Sequence, residues 1–261
     1  MPHDKIKQVI EDIREADLVL VGIGEEMDLQ RKLRSDGKYV KLSEATGEKQ
    51  LLPYIEKVML NEAGQDRKEV YTHLEKCLNN KNYFIVSLCR DGVIESTGLI
   101  QDRIVEPCGA YKELQCAEGC SKDLYEVPEE FLAKVELGLS DGNFLHVAEI
   151  PVCPRCGKAL VFNNIEAEHY VEEGYLDKWN IYQKWLQGSL NKRLCILELG
   201  VGMQYPTVVR WPFEKITFFN LKATLYRVHS RLYQTADEIK ERSFGICQKP
   251  EEFLKELSNG F

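Results

Sequence analysis

The sequence has no apolar run near the roughly 18 residues that a membrane-spanning helix needs, and its first five residues do not lead into the apolar core of a signal peptide. It also lacks an excess of basic residues, since 34 Lys and Arg stand against 42 Asp and Glu, for a formal charge of −8. Because affinity for nucleic acid comes mainly from Lys and Arg, non-specific binding to it is not expected. We therefore expect a cytoplasmic protein whose partners include neither a membrane nor nucleic acid.

The nine cysteines make an odd number, and without an export signal this argues against a disulfide framework. Four of them form two close pairs, Cys116-Ala-Glu-Gly-Cys120 and Cys153-Pro-Arg-Cys156-Gly157. Short spacers let two thiolates converge on one ion, and four sulfurs make a closed, structural zinc site. Two alternatives stay open: the four residues are small buried hydrophobes, or one pair is a redox dithiol, which leaves the other pair unexplained. His146 is a possible spare ligand.

Continuous apolar runs alternate with helical stretches along the chain. Strands of this kind with helices between them predict a Rossmann-like, doubly wound α/β fold, in which a parallel sheet carries helices on both faces. The predicted strands are 17–24, 83–87, 194–200 and 216–220, and the predicted helices between them include 67–78 and 175–190.

A turn-rich segment that contains the cysteine pairs interrupts this pattern. We interpret residues 110–160 as a small zinc-ribbon domain inserted into a Rossmann-like domain formed by 1–109 and 161–261. Lys215, Lys222, Arg227 and Arg231 add local positive charge near the fourth predicted strand. We expect them to form a solvated face, and the alternative is a phosphate-binding role.

Three predicted strands end in residues that suit a nucleotide. In open parallel sheets, ligands bind beyond the carboxyl ends of the strands, where glycines let the backbone approach a phosphate. Glu25 and Glu26 argue against this, because they put negative charge where an anion should sit. The glycines could also serve only to turn the chain, since a third glycine of the full fingerprint is missing. The candidate residues are Gly22, Gly24, Gly200, Gly202 and Asn220.

Taken together, these features resemble the sirtuins, the NAD-dependent protein deacylases. The most specific stretch is 87–116, where the family has Thr-Gln-Asn-Ile-Asp-Gly, then Ala-Gly, Glu-Leu-His-Gly and the first zinc cysteine. Gly200-Val-Gly202 resembles the family's Gly-Thr-Ser loop, and Asn220 resembles the asparagine that contacts the adenosine part of NAD. The positions that match the spacing of the specific stretch are Asp91, Gly98, Glu106, Gly109 and Cys116.

The departures from the family pattern fall on its catalytic residues. Cys108 stands where sirtuins have the histidine that acts as general base, and Leu88 and Cys89 replace the family's glutamine and asparagine. A histidine suits that role because its pKa lies near neutrality, whereas the ordinary pKa of a thiol is about two units higher. The resemblance makes Cys108 and Asp91 the candidate catalytic residues, with Asp91 also a cofactor contact.

These observations predict a sirtuin-like protein that binds structural zinc, and NAD or ADP-ribose, without standard deacylase activity. The first alternative is an active NAD-dependent deacylase or ADP-ribosyltransferase with atypical site residues, whose partner is a protein or an acylated peptide. The second alternative is a zinc-ribbon module that binds a protein partner and uses the sheet only as a scaffold.

Overall fold

The computed structural model describes residues 2–45, 49–144, 147 and 149–261. The strands are β1 (Leu18–Ile23), β2 (Tyr83–Ser87), β3 (Ile104–Val105), β4 (Gly109–Cys116), β5 (Tyr125–Glu126), β6 (Leu160–Asn164), β7 (Leu194–Leu199), β8 (Ala223–Val228) and β9 (Ser243–Ile246). The helices are α1 (Pro2–Glu15), α2 (Leu29–Arg34), α3 (Gly37–Ala45), α4 (Leu52–Leu78), α5 (Glu129–Asp141), α6 (Glu173–Gln187), α7 (Arg210–Phe219) and α8 (Pro250–Ser258).

Six strands form a parallel sheet in the order β3-β2-β1-β7-β8-β9. Strand β1 lies in its centre, where Val21 pairs with Ile85 of β2 and with Leu197 of β7. Successive residues of β1 enter two different apolar cores, so the strand is buried on both faces. This explains its unbroken apolar sequence and confirms the predicted doubly wound α/β fold.

One predicted strand is wrong. Residues 216–219 are the last part of helix α7, and the strand of the large sheet that follows β7 along the chain is β8. The amide of Asn220 donates to the carbonyls of Ser189 (3.2 Å) and Lys192 (3.1 Å). Asn220 therefore precedes β8 instead of ending a strand. It lies near the amino ends of β7 and β8, whereas the glycine turns lie at the carboxyl ends of the strands.

Strand β8 escaped prediction because it contains a buried arginine. Arg227 is only 1% exposed, so the expectation that it belongs to a solvated face is wrong. Its guanidinium donates to Glu198 of β7 (Nη2 to Oε1, 3.0 Å) and to Glu214 of α7 (Nη1 to Oε1, 2.8 Å). A charge inside a sheet is tolerated only when it is paired in this way.

A smaller antiparallel sheet, in the order β5-β4-β6, carries the cysteine pairs. It shares an apolar core with the first turns of α4, where the ring of Tyr54 lies 5.1 Å from that of Phe162. The sheet spans 109–164, and the assignment of 110–160 as a separate inserted domain stays a prediction.

Among the described helices, none combines the length and the apolar character that crossing a bilayer requires.

The Arg227–Glu198 pair gives a stability prediction. We expect Arg227→Ala to lower the free energy of unfolding by about 3–5 kcal/mol, because it leaves the carboxylate of Glu198 buried without its partner. Urea denaturation followed by circular dichroism measures this. Arg193→Ala is the control, since Arg193 pairs with Glu15 at an exposed position (3.6 Å) and should cost less than about 1 kcal/mol. Equal losses in the two variants would contradict the prediction.

Candidate functional site

The four paired cysteines converge at one end of the small sheet. Strand β4 ends at Cys116, which pairs in register with Leu160, and the N–H of Ala117 donates to Ala159 (3.0 Å). This pairing sets the two cysteine turns side by side. Their sulfurs lie 3.5 Å apart for Cys116 and Cys156 and 3.6 Å apart for Cys120 and Cys153, and all four lie within 4.8 Å of one another.

These sulfur positions fit a metal ion. Two thiolates on a tetrahedral zinc ion lie about 3.8 Å apart, which is close to the observed spacings. Gly119 directly precedes Cys120, and Gly157 directly follows Cys156. Their φ angles of +58° and +71° lie in the left-handed region, where glycine is favoured, and allow the chain to turn at each pair. The cluster could therefore bind a metal such as zinc. His146, the possible spare ligand, lies outside the described residues.

A cleft of about 1190 Å³ opens beyond the carboxyl ends of β1, β7 and β8. The loops that follow these strands form its floor, with Glu25 and Glu26 after β1, Gly202 and Gln204 after β7, and Ser230 after β8. Four cationic side chains also line it: Arg31, Lys32, Arg231 and Lys249. The structure thus has a cavity where ligands bind in open parallel sheets.

The glycines of these loops differ in what they allow. A Cβ on Gly24 would lie 2.3 Å from Val201 Cα, and one on Gly22 would lie 2.5 Å from a methyl of Val209. A Cβ on Gly200, whose φ is +70°, would meet the Cβ of Glu26 at 2.7 Å. These three glycines let protein segments pack together, and Gly202 lines the cleft itself.

Both glutamates of the first loop turn into the site. The carboxylate of Glu25, a residue that is 5% exposed, accepts the N–H of Gly202 (2.6 Å) and the N–H of Gln204 (3.0 Å). The carboxylate of Glu26 accepts the N–H of Ser230 (3.0 Å) and also its hydroxyl. Backbone donors at the ends of two neighbouring strands are therefore occupied by anionic oxygens of the chain itself.

His229 directly follows β8, and its position could not be predicted because that strand was not predicted. Its Nδ1 lies 3.2 Å from Glu26 but accepts the N–H groups of Arg231 (3.0 Å) and Leu232 (3.1 Å). Burial lowers the pKa of His229, against the opposing effect of Glu26. The ring is therefore neutral, and its contact with Glu26 is a close approach instead of an ion pair. Ser230 was missed for the same reason.

The two candidate catalytic residues, Cys108 and Asp91, are buried. Neither of them is among the residues that line this cleft. Cys108 is 2% exposed and packs in an apolar core with Leu88. Burial raises the pKa of its thiol to about 12, although Arg90 acts in the opposite direction. The carboxylate of Asp91 accepts the N–H groups of Leu29 and Val93, both at 2.9 Å. Their catalytic and cofactor roles stay predictions.

Asp91 belongs to a pair of buried carboxylates. Asp28, 4% exposed, has its pKa raised to about 7, chiefly by burial and then by the charge of Asp91. The pKa of Asp91 is also raised by burial, against the hydrogen bonds from Leu29 and Val93. Arg90 Nε lies 3.9 Å from Asp28 and its Nη1 lies 2.7 Å from Glu166. This polar group connects the large sheet with the small one.

Comparisons with known proteins support the fold. No protein-family model matches the chain. The structure of Sir2Tm bound to a propionylated peptide superimposes with a TM-score of 0.58, at 14% identity, over 98% of each chain. The chain therefore has the sirtuin fold, as the resemblance predicts.

Two curated proteins are similar in sequence. A protein from Staphylococcus aureus named protein ADP-ribosyltransferase is 23% identical over 193 residues, which are 73% of this chain and 61% of that protein. A protein from Fusarium oxysporum f. sp. cubense, named probable bifunctional ADP-ribose hydrolase/ADP-ribosyltransferase, is 29% identical over 138 residues, which are 51% of this chain and 23% of that protein. The matches span less than two thirds of the length of either relative.

The cysteine cluster gives a metal prediction. We expect one metal ion per chain in the purified protein, and we expect Cys153→Ser to lose it and to melt at a lower temperature, because one of four thiolates is gone. Elemental analysis and thermal denaturation measure both. Cys247→Ser is the control, since Cys247 is an exposed cysteine outside the cluster. A wild-type metal content far below one per chain contradicts the site.

Proposed function

We propose that this chain, which has the sirtuin fold, binds NAD or ADP-ribose in the cleft beyond β1, β7 and β8. We further propose that its four paired cysteines hold structural zinc, and that it does not carry out histidine-based deacylation. None of the nine cysteines forms a disulfide, which supports a reducing, cytoplasmic location. The observation that carries the proposal is the set of backbone donors at the cleft floor, which already bind anionic oxygens.

The donor set suits the diphosphate of a dinucleotide. The N–H groups of Gly202 and Gln204 converge on one carboxylate, and the N–H and hydroxyl of Ser230 converge on another. Each carboxylate is a chemical stand-in for phosphate oxygens, which accept the same kind of hydrogen bond. The cleft is also larger than the ~300–1,000 Å³ typical of small-molecule pockets.

NAD, when bound, supplies an ADP-ribosyl group and a nicotinamide leaving group. The residues of this chain that would hold its phosphates are Gly202, Gln204 and Ser230, with Arg231 as a nearby cation at the cleft. The positions of these backbone N–H groups are fixed by the strand ends, although the carboxylates of Glu25 and Glu26 occupy them in this structure.

The environment of Cys108 argues against deacylation by the sirtuin route. A general base must accept a proton near neutral pH, and a thiol with a pKa of about 12 stays protonated there. Leu88, which stands in place of a glutamine, is 2% exposed and has no polar atom in its side chain. Two positions that handle protons or hydroxyls in the family therefore lack the chemistry for it.

ADP-ribosyl transfer is the second candidate, and the names of the two curated relatives favour it. It uses the same cofactor and leaving group as deacylation, so the proposed cleft serves both. The two functions differ in the acceptor, which is a protein or an acylated peptide.

Ligand binding is the first test. We expect ADP-ribose and NAD at millimolar concentration to raise the melting temperature and to give heat in isothermal titration, because ligand binding stabilises the native state. Arg231→Gln should weaken binding about threefold or more through loss of a cation at the cleft. The matched control is Arg155→Gln, an exposed arginine beside the cysteine cluster that pairs with Asp123. Absence of both heat and thermal shift overturns the proposal and leaves the zinc-ribbon alternative.

Turnover is the second test. With NAD and an acetylated peptide, we expect nicotinamide release no faster than that of a Cys108→Ala variant, because the buried thiol does not act as a base. Release is measured by chromatography. Turnover clearly above the variant's rate would show an active deacylase, and radiolabel from NAD on a protein acceptor would favour the transferase.

A further inference from the structure

We infer that Glu25 and Glu26 form a built-in gate on the proposed nucleotide cleft. Their carboxylates occupy the donors that a diphosphate needs, so the ligand binds only after residues 24–27, which we call the gate loop, move away. The inference rests on the proposed function and concerns the regulation of the same site.

Glu25 blocks the end of β7. Its two oxygens accept the N–H groups of Gly202 and Gln204, so this pair of donors has none of its hydrogen-bonding capacity left for a ligand. The carboxylate is also buried, and placing a phosphate beside it would bring two anions together out of water, which is unfavourable. A phosphate and Glu25 therefore exclude each other at this position.

Glu26 blocks the end of β8 in the same way. Its carboxylate binds Ser230 through both the backbone N–H and the hydroxyl. Strands β7 and β8 are neighbours, with Leu199 in register with Val228, so the loops that follow them lie side by side. Two consecutive residues of one loop thus satisfy two adjacent anion positions, and a single movement of the gate loop frees both.

Backbone hydrogen bonds, Arg67 and the side chain of Met27, which is fully buried in an apolar core, also hold the gate loop. Its backbone N–H groups donate to Leu199 (Gly24 N, 2.9 Å) and Gly200 (Glu26 N, 3.1 Å), and its last carbonyl, of Met27, accepts from Arg67 (2.7 Å). A ligand must compete with these bonds as well as with the carboxylates. Its apparent affinity is then the intrinsic affinity reduced by the fraction of molecules with the loop open.

A purely structural role for the two glutamates gives a different outcome. If the carboxylates only fasten three loops together, removing their charge weakens the fold without improving binding of any nucleotide. A gate predicts that the same change weakens the fold and strengthens binding.

The experiment compares ADP-ribose binding by isothermal titration to the full chain and to its Glu25→Gln/Glu26→Gln double variant. We expect the double variant to bind about tenfold more tightly or better, because the competing charges are gone. The control is Glu252→Gln, which removes the same charge from the edge of the cleft at an exposed residue beside Lys249 (3.7 Å). Its affinity should stay within about twofold of wild type.

A second probe locates the effect. Adenosine has no phosphate, so Glu25→Gln should leave its affinity unchanged while it improves the affinity for ADP-ribose. An equal gain for both ligands overturns the assignment of Glu25 to the phosphate position.

The remaining outcomes separate the gate from the proposed function. If wild type binds ADP-ribose as tightly as the double variant, the gate is wrong and the nucleotide site stands. If neither binds at millimolar ligand, the proposed function fails and the gate with it. Should the double variant not fold, as judged by circular dichroism, Glu25→Asp replaces it, because the shorter side chain loses its reach to both N–H groups. Affinity of Glu25→Asp equal to wild type overturns the gate.

Discussion

The backbone N–H groups beyond the carboxyl ends of the parallel strands require hydrogen-bond acceptors. The arrangement of the cleft depends on which groups act as those acceptors. Backbone N–H groups of the loops after β7 and β8 point into one cavity, where unpaired buried donors would be costly. Glu25 and Glu26 supply the acceptors. The bonds are charge-assisted, which makes each stronger than a neutral one. The same geometry that makes this edge attractive to phosphate therefore stabilises the chain when its own carboxylates occupy it.

The sequence predicts the parts of the fold that have a local signature. The unbroken apolar run of β1 predicts a strand buried on both faces, and the spacing of the four cysteines predicts their convergence, because two short turns joined by a strand pair leave the sulfurs few alternatives. The signature of β1 and that of each cysteine pair lie within a few residues of the chain, and the pairing of β4 with β6 then brings the two cysteine pairs together.

The errors come from residues whose role depends on a distant partner. Arg227 resembles a surface residue until Glu198 and Glu214 are placed beside it, and without them β8 is not recognisable as a strand. Once β8 is lost, Asn220 is assigned to a strand end, while His229 and Ser230 pass unnoticed. The glycines show the same limit, because whether Gly24 meets a phosphate or the backbone of Val201 depends on a loop almost 180 residues away.

Glu25 also acts on Cys108, the residue that stands where the resemblance places the general base of sirtuins. Glu25 raises the pKa of the Cys108 thiol, in addition to the larger effect of burial. Burial and the charge of Glu25 thus act in the same direction on this thiol, and both favour its protonated form. A nearby carboxylate would raise the pKa of a histidine at this position as well, but there the protonated form it favours is the charged imidazolium. The protonated thiol of Cys108 therefore adds no charge to its buried surroundings, whereas a protonated imidazole would.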